Sequence, residues 1–303
     1  MRPSRRRLAA LREVLVADLS IIIVSYNARS DLDACLASLH DAPPLTPHEI
    51  VVVDNASTDG SAGMVRDTWP RVTIIDAGGN LGFSRANNIG IRAGAGSLVL
   101  LLNSDTRMPR GAVDRLVEEL SAHPDVAVVG PRLVDAAGQP ELSYGSMITP
   151  VSESCRKAVG WLHRNSVPPV PAWVRWRVSR PHYPDWVSGA CLLVRRADAE
   201  AAGLLDERFV LYAEDVDFCA AIRSRARRVM FSPAAEIVHL RGRSVRHAPA
   251  AAERLYRLSH LAFYQKHHPR WYPWLRAYLR IRGRLPAGDP GPPLAGESGP
   301  PRV

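Results

Sequence analysis

The chain has 303 residues and 46% hydrophobic content, which excludes a disordered or fibrous chain and suits one large α/β domain with a small appendage. Its formal net charge of +9 favours an anionic partner, whether nucleic acid, lipid headgroups or a nucleotide diphosphate. No apolar run reaches the roughly 18–20 residues of a membrane-spanning helix. The four cysteines, Cys35, Cys155, Cys191 and Cys219, lack C-x-x-C spacing, so they predict reduced core thiols of a cytoplasmic protein rather than a disulfide or zinc framework.

Residues 1–18 are a basic segment with no clean apolar core, since Arg12, Glu13 and Asp18 interrupt it, so a secretory signal is not expected. Disorder through about Arg7 and then a short helix are expected. Leu19–Ser25 is a β-branched, buried strand. Ser30 is the expected N-cap of a helix over Asp31–Leu39. Ile50–Val53 is a second strand, ending in Asp54. The turn chemistry of Asn55–Ser61 opens a helix to Trp69. Val72–Ile75 is a third strand, Gly78–Gly82 a tight loop, and Phe83–Ala93 a helix. Leu98–Leu102 is too short for a buried helix and does not alternate, so it reads as a central parallel strand covered on both faces. It ends in Asn103-Ser104-Asp105. Asp105 is either a ligand group at the strand tip or a cap for the amphipathic helix Ala112–Leu120.

Strand–helix alternation through this half predicts an α/β fold with a mostly parallel, Rossmann-like central sheet flanked by helices, and ligands at the carboxyl edge. Val126–Val129 is a further strand, and Arg132–Tyr144 a hairpin or excursion around Gly138. Residues 150–184, rich in Pro, Trp and Arg, read as a mobile loop with some helix. Trp186–Val194 is a buried strand and Asp198–Ala202 a short helix. Arg208–Asp217 leads into a helix to about Arg225. Val229–Ser232 and Glu236–Leu240 are short strands, followed by a basic loop, Arg241–His247. Ala250–His267 and Trp271–Arg282 are helical, and the tail from Leu285 is expected to be disordered.

Asp54 at a strand tip is placed to accept hydrogen bonds from a base or ribose. The helix after Gly60 offers backbone N–H groups to an anion. Gly79 and Gly82 let backbone approach a ligand, with the amides of Asn80 and Asn87 nearby. Ser104 and Asp105 are suited to reach a diphosphate through an oxygen-seeking divalent cation. The alternatives are turn capping for Asn55 and Asp59 and a surface helix amide for Asn87. Glu214 and Asp215 are adjacent carboxylates among apolar and aromatic residues, a setting that raises a pKa towards general-base use, and Asp217 is placed to cap the following helix. His239 is either structural or, beside Arg241, Gly242, Arg243 and Ser244, a metal or phosphate group.

The stretches SYN, VVVDNASTDGS, GNLGFSRANN, LLNSDT, WVSGACLLVRR, LYAEDVD and HLRGRS occur in one order from about Leu19 to Ser244. In this the chain resembles glycosyltransferase family 2, with the GT-A fold, and within it the rhamnosyltransferase-like branch that uses dTDP-L-rhamnose. The resemblance implies an inverting transfer from a dTDP- or UDP-linked sugar to a lipid-linked or glycan acceptor in cell-envelope synthesis. Asp54 would bind the pyrimidine ring. Ser25, Tyr26, Asn27, Asn55, Asn80, Gly82, Asn87, Ser104, Arg241 and Arg243 would also lie on the donor. Asp105 and His239 would hold Mg²⁺ or Mn²⁺, with Asn103 standing where the family has the first Asp of Asp-x-Asp. Asp215 would be the catalytic base, with Glu214 beside it, and Trp186, Gly189 and Ala190 would line the acceptor. The Gln-x-x-Arg-Trp element of processive synthases is missing, which implies one sugar per encounter.

The expected organisation is a transferase domain over 19–248, split into a nucleotide-sugar half (19–130) and an acceptor half (131–248), with helices over 249–283 and a tail over 284–303. The C-terminal helices interleave Arg, Lys and His with Trp, Tyr and Leu, which suits peripheral contact with an anionic membrane at its cytoplasmic face; the alternative is a helix packed on the sheet. Competing readings are a sugar-nucleotide nucleotidyltransferase, an inactive nucleotide-sugar-binding partner, and a nucleic-acid binder, for which no recognised module is present.

Overall fold

The computed structural model describes residues 18–240 and 249–288. The basic N-terminal segment, the loop carrying Arg241 and Arg243, and the tail beyond 288 lie outside the described residues. In chain order the elements are β1 (Leu19–Ser25), α1 (Arg29–Asp41), β2 (His48–Asp54), α2 (Ser61–Thr68), β3 (Thr73–Asp76), α3 (Phe83–Ala93), β4 (Leu98–Asn103), β5 (Thr106–Arg107), α4 (Ala112–Ala122) and β6 (Val126–Val134). They continue with β7 (Tyr144–Gly145), α5 (Pro150–Arg164), α6 (Val170–Arg177), β8 (Trp186–Val187), β9 (Cys191–Arg195), α7 (Arg196–Ala201), α8 (Glu214–Ser224), β10 (Arg228–His239), α9 (Pro249–His267) and α10 (Tyr272–Ile281).

Eight strands form one sheet in the order β3-β2-β1-β4-β9-β6-β10-β5. The first four are parallel, as the strand–helix alternation dictates. Successive side chains of β1 and β4 point to opposite faces, and both faces are covered. Ile22, Val24, Val99 and Leu101 enter a core shared with α3 and α8, whereas Leu19, Ile21, Ile23, Leu100 and Leu102 pack against α1 and α4. Burying each such side chain contributes about 1.5–3 kcal/mol, which is why these strands carry no alternating polar residues.

Several expectations are corrected. β4 is central but parallel on one edge only, since β9 returns beside it antiparallel. The 186–194 strand is broken. Trp186–Val187 pairs with β7 in a separate small sheet, and Cys191–Arg195 joins the main one. Ser188 and Gly189 leave the ladder because their N–H groups go to the Ser143 carbonyl and to Asp215. The two short strands expected after 228 are one strand, β10, with a register shift between Ser232 and Glu236. The expected loop over 150–184 contains two helices, the first opened by a Thr149–Ser152 capping box. Ser30 is not a cap. Helix α1 starts at Arg29, whose N–H is taken by Asp59 from the neighbouring loop (2.8 Å). Cys155 is exposed, unlike the other three cysteines. Helix α9 buries Leu261, Phe263 and Tyr264 in the core, whereas α10 leaves Trp274, Tyr278 and Ile281 exposed.

Candidate active site

The carboxyl ends of β2, β1 and β4 lie side by side. Ser25 is in register with Asp54, and Val24 with Asn103, so Asp54 and Asn103 stand two strand spacings, roughly 10 Å, apart. Ser25 Oγ, Asp54 Oδ1 and Asn103 Oδ1 are all buried without a hydrogen-bond partner. An orphaned buried oxygen costs about 1–3 kcal/mol. Their collection on adjacent strand tips, at the edge where α/β sheets bind ligands, marks a place where a ligand supplies the partners.

Around that rim the loops are locked together. Asp54 Oδ2 accepts from the Ser57 N–H (3.1 Å). Asn27, at φ 48°, accepts from the Thr58 N–H (2.8 Å) and donates its own N–H to Ser57 Oγ (3.0 Å). Asn55 Nδ2 donates to Asn80 Oδ1 (3.0 Å) and its Oδ1 accepts from the Leu81 N–H (2.8 Å). Asp59 accepts from both N–H and Oγ of Ser61. Asn55 and Asp59 therefore hold turns. Asn87 is buried, not at the surface, and donates to the Phe83 carbonyl of its own helix (2.9 Å). Tyr26 is the exposed ring of the group, and Ser104 is buried beside Asp105.

The same loop docks onto the second half of the chain. Gly82 (φ 83°) lies against Val210, the Phe83 N–H bonds the Val210 carbonyl (2.7 Å), and Ser84 Oγ bonds the Phe209 carbonyl (2.5 Å). Asn88 exchanges hydrogen bonds with the Leu205 backbone. From there the chain passes through Tyr212 and Ala213, both at φ 69°, into Glu214 and Asp215 at the start of α8. Consecutive non-glycine residues at positive φ are strained, and the strain lies where the acidic pair is aimed.

Asp215 accepts hydrogen bonds from the Gly189 N–H (3.0 Å) and the Val216 N–H (2.8 Å). Burial raises its pKa, and those two N–H groups offset only part of the rise. Glu214 is more deeply buried, its Oε2 has no partner, and burial together with the Asp215 charge drives its pKa well up. Of the two, Asp215 is the one a solvent-borne group can reach. Gly189 brings its backbone against Asp215, where an added Cβ would meet Asp215 Cβ at 3.3 Å. The Ala190 carbonyl accepts the Asn103 N–H (2.9 Å), tying the acid to the rim of orphaned oxygens. Trp186 is buried and donates Nε1–H to the Ser146 carbonyl (2.9 Å), with the Arg156 guanidinium 5.8 Å from its ring. Asp217 does not cap α8; it is buried and pairs with Lys266 (2.8 Å) and His267 (2.6 Å) of α9.

β5 brings Asp105 to His239. Thr106 pairs with His239, and the Leu240 N–H bonds the Asp105 carbonyl (2.9 Å). His239 Nε2 is 3.4 Å from Asp105 Oδ1, and Nδ1 is 3.5 Å from Glu141 Oε2. Burial opposes the imidazolium, but the two carboxylates outweigh it and lift the pKa to about 9. Asp105 caps no helix, since α4 begins behind Gly111. Among the described residues no group of three His, Cys, Asp or Glu side chains is arranged for a metal. Asp105 and the orphaned Asn103 oxygen are nonetheless oxygen donors suited to Mg²⁺ or Mn²⁺ when diphosphate oxygens complete the shell, and His239 would join them only once the cation displaces the proton that its two carboxylates hold there. Glu141 was not legible in the sequence: no motif surrounds it, and the Val134–Pro140 bridge and the bond from the Glu141 N–H to the Leu133 carbonyl (2.9 Å) bring it beside His239.

Comparisons with known proteins bear on the family and the fold. The family model described as "Glycosyl transferase family 2" matches residues 20–171. The chain is 30% identical over 282 residues, 88% of its length and 90% of the relative's, to the N-acetylglucosaminyl-diphospho-decaprenol L-rhamnosyltransferase of Mycobacterium tuberculosis. In fold it is similar to the mannosyltransferase PcManGT of Pyrobaculum calidifontis, solved with GDP-Man and Mn²⁺ (TM-score 0.58, 19% identity, 88% of this chain and 70% of that one). It is also similar to S. aureus TarS 1-349 with UDP-GlcNAc (TM-score 0.54, 18% identity, 81% and 66%). With its GT-A-like sheet, its carboxylate rim and a relative matched along nearly its whole length, this chain belongs to glycosyltransferase family 2.

Proposed function

We propose that the chain transfers L-rhamnose from dTDP-L-rhamnose to a lipid-linked acceptor carrying N-acetylglucosaminyl diphosphate, with inversion and one sugar per encounter. The observation that carries the reading is the row of orphaned polar atoms on the tips of β1, β2 and β4, with Asp215 tied to that row through Gly189, Ala190 and Asn103. The acceptor and sugar follow the relative from M. tuberculosis, of which this chain covers 90%.

Asp54 Oδ1 lacks a donor, and a pyrimidine ring supplies one in its N3–H. Ser25 and the exposed Tyr26 bound the same recess. Asp105, His239 and Asn103 would hold a divalent cation, whose charge stabilises the departing diphosphate. Asp215, its pKa raised by burial, takes the acceptor hydroxyl proton as that oxygen attacks the anomeric carbon. The sugar–phosphate bond breaks on the opposite face, and the nucleoside diphosphate leaves with the electron pair. The absence of Gln-x-x-Arg-Trp from the sequence supports a single transfer. Among the described residues no helix is long and apolar enough to cross a membrane, and the exposed Trp271, Trp274 and Tyr278 around α10 support peripheral contact with the bilayer that holds the acceptor.

The test offers dTDP-L-rhamnose, UDP-GlcNAc and GDP-mannose to the full chain with a short-prenyl GlcNAc-diphosphate acceptor, with and without a chelator. Released nucleoside diphosphate is scored, and the product anomer is read by NMR. Transfer from dTDP-L-rhamnose with inverted configuration is expected. Retained configuration, or equal turnover of all three donors, refutes the reading.

A further inference from the structure

Helices α5 and α6 occupy the stretch expected to be a mobile loop with some helix, and nothing in the donor or acceptor chemistry uses their outer face. Between residues 150 and 184 stand Arg156, Lys157, Arg164, Arg175, Arg177 and Arg180, against a single acid, Glu153. That acid is buried and turned inward, where His260 (3.1 Å) and the Tyr264 hydroxyl (3.2 Å) hold it. Among the described residues none of the six lies within 4 Å of a carboxylate oxygen; Arg156 is turned inward over Trp186, which leaves the other five for the outer face. Between them stand three tryptophans, Trp161, Trp173 and Trp176, exposed to 57, 45 and 49%. Little of the hairpin is buried: Glu153 on α5 and Val174 on α6.

An exposed tryptophan normally costs solubility, and three on one short hairpin need an explanation. Tryptophan prefers the headgroup level of a bilayer, where its ring is apolar and its N–H is wet. Arginine beside it covers apolar surface while meeting lipid phosphates. A single-stranded nucleic acid would match the charge and stack on such rings; the lipid surface is favoured because the hairpin is joined to the start of α10, which itself exposes Trp274 and Tyr278.

We propose that the α5–α6 hairpin is a second lipid-docking element, with Trp161, Trp173 and Trp176 seated among anionic phospholipid headgroups and the arginines between them. It goes beyond the membrane contact of α10 and does not depend on which sugar is moved. Its place in the fold gives it a purpose. The start of α5 is fastened to the end of α9 through Glu153, and His268 Nε2 bonds the Ile148 carbonyl (2.6 Å), so the hairpin and the start of α10 form one joined block. Arg156, on the same helix, lies by Trp186 at the acceptor wall, and its charge favours the Asp215 carboxylate. A bilayer bound to this face therefore lies next to the base that needs a lipid-borne hydroxyl.

The test floats the full chain with phosphatidylcholine vesicles and with vesicles containing about one third phosphatidylglycerol. Three proteins are compared: the wild type, a hairpin variant (Trp173→Ser, Arg175→Ser, Trp176→Ser) and an α10 variant (Trp274→Ser, Tyr278→Ser). The substituted aromatic side chains stand about half or more in solvent, and Arg175 is exposed too, so far-UV circular dichroism should match the wild type. The wild type is expected to bind only the anionic vesicles. The hairpin variant should lose about tenfold in partitioning and part of the tryptophan quenching given by brominated lipid, while turnover of a water-soluble acceptor is kept. Wild-type partitioning by the hairpin variant overturns the proposal. If the α10 variant alone loses binding, the α10 contact stands and the hairpin fails. Absence of vesicle binding by the wild type, or retention on single-stranded RNA in its place, overturns it as well.

Discussion

Gly82→Ala tests whether the donor loop and the base-bearing segment work as one unit. Gly82 has φ 83° and ψ 170°, a region open essentially to glycine, and a side chain there costs about 1–3 kcal/mol. An added Cβ would stand 2.7 Å from Val210 Cγ1, 2.8 Å from the Val210 carbonyl oxygen and 3.0 Å from its Cα. Rotating Val210 relieves the first contact. The other two are backbone, held in place because the same carbonyl accepts the Phe83 N–H at 2.7 Å, and overpacking of this kind costs about 1–3 kcal/mol more. The total, roughly 2–6 kcal/mol, rivals the ~5–15 kcal/mol stability of a whole domain, so the loop should part from Val210 instead of bearing it. Gly78→Ala is the control: φ is 73°, but nothing lies within 4 Å of an added Cβ, so it incurs only about 1–2 kcal/mol. Urea unfolding, titration calorimetry with dTDP and UDP, and turnover are measured on both. Gly82→Ala should bind nucleotide at least about tenfold more weakly, the equivalent of ~1.4 kcal/mol, and turn over correspondingly less. Equal behaviour of the two variants would refute the coupling.

Asp215→Asn should lower kcat by ~10²–10⁴ with nucleotide affinity intact in calorimetry; a smaller loss moves the base elsewhere. Because burial raises the Asp215 pKa, the acid limb of the kcat/KM profile should lie above the ordinary aspartate range, activity falling as the carboxylate protonates; an acid limb at or below that range contradicts the assignment. Glu214→Gln should stabilise the fold at pH 8 and do little at pH 4. The folded-state pKa of Glu214 lies above its unfolded value, so stability falls as pH rises from the unfolded pKa to the folded one, and Gln escapes that loss. Urea midpoints at the two pH values decide it. Lys266→Met removes a partner from Asp217, which is 2% exposed, and should cost about 3 kcal/mol in chemical denaturation, with little dependence on salt.

What the sequence shows and hides follows from what each contact depends on. The run Leu19–Ser25 and helix Phe83–Ala93 were readable because local composition and burial agree along the chain. Asp54 and Asp105 were readable as strand-tip carboxylates for the same reason. The break at Ser188–Ala190 was not, because WVSGACLLV is apolar enough for one strand and only the distant Asp215 and Ser143 draw its N–H groups away. Helix α1 begins before its expected cap because Asp59, thirty residues on, satisfies the Arg29 N–H. Glu141 and Asn88 were invisible for a related reason. Their partners, His239 and the Leu205 backbone, lie about a hundred residues away, and a lone polar residue in a helix or hairpin carries no local signal.

The order of these tethers says how the site keeps its shape without its substrates. The acidic pair sits behind two strained residues, Tyr212 and Ala213, which would relax if the flanking chain were free. It is not free. Upstream, Val210, Phe209 and Leu205 are held by Gly82, Ser84 and Asn88 of the donor side. Downstream, Asp217 is clamped by Lys266 and His267, and α9 is clamped in turn to α5 by Glu153. Asp215, the proposed base, is thus held from both sides. A disturbance in the donor loop reaches Asp215 through backbone hydrogen bonds and packing, and one at the α5 face reaches it through α9. Strain of about 1–3 kcal/mol per residue at the pair is sustained only while both clamps hold, so the two halves of the site should fail together in a variant that loosens either.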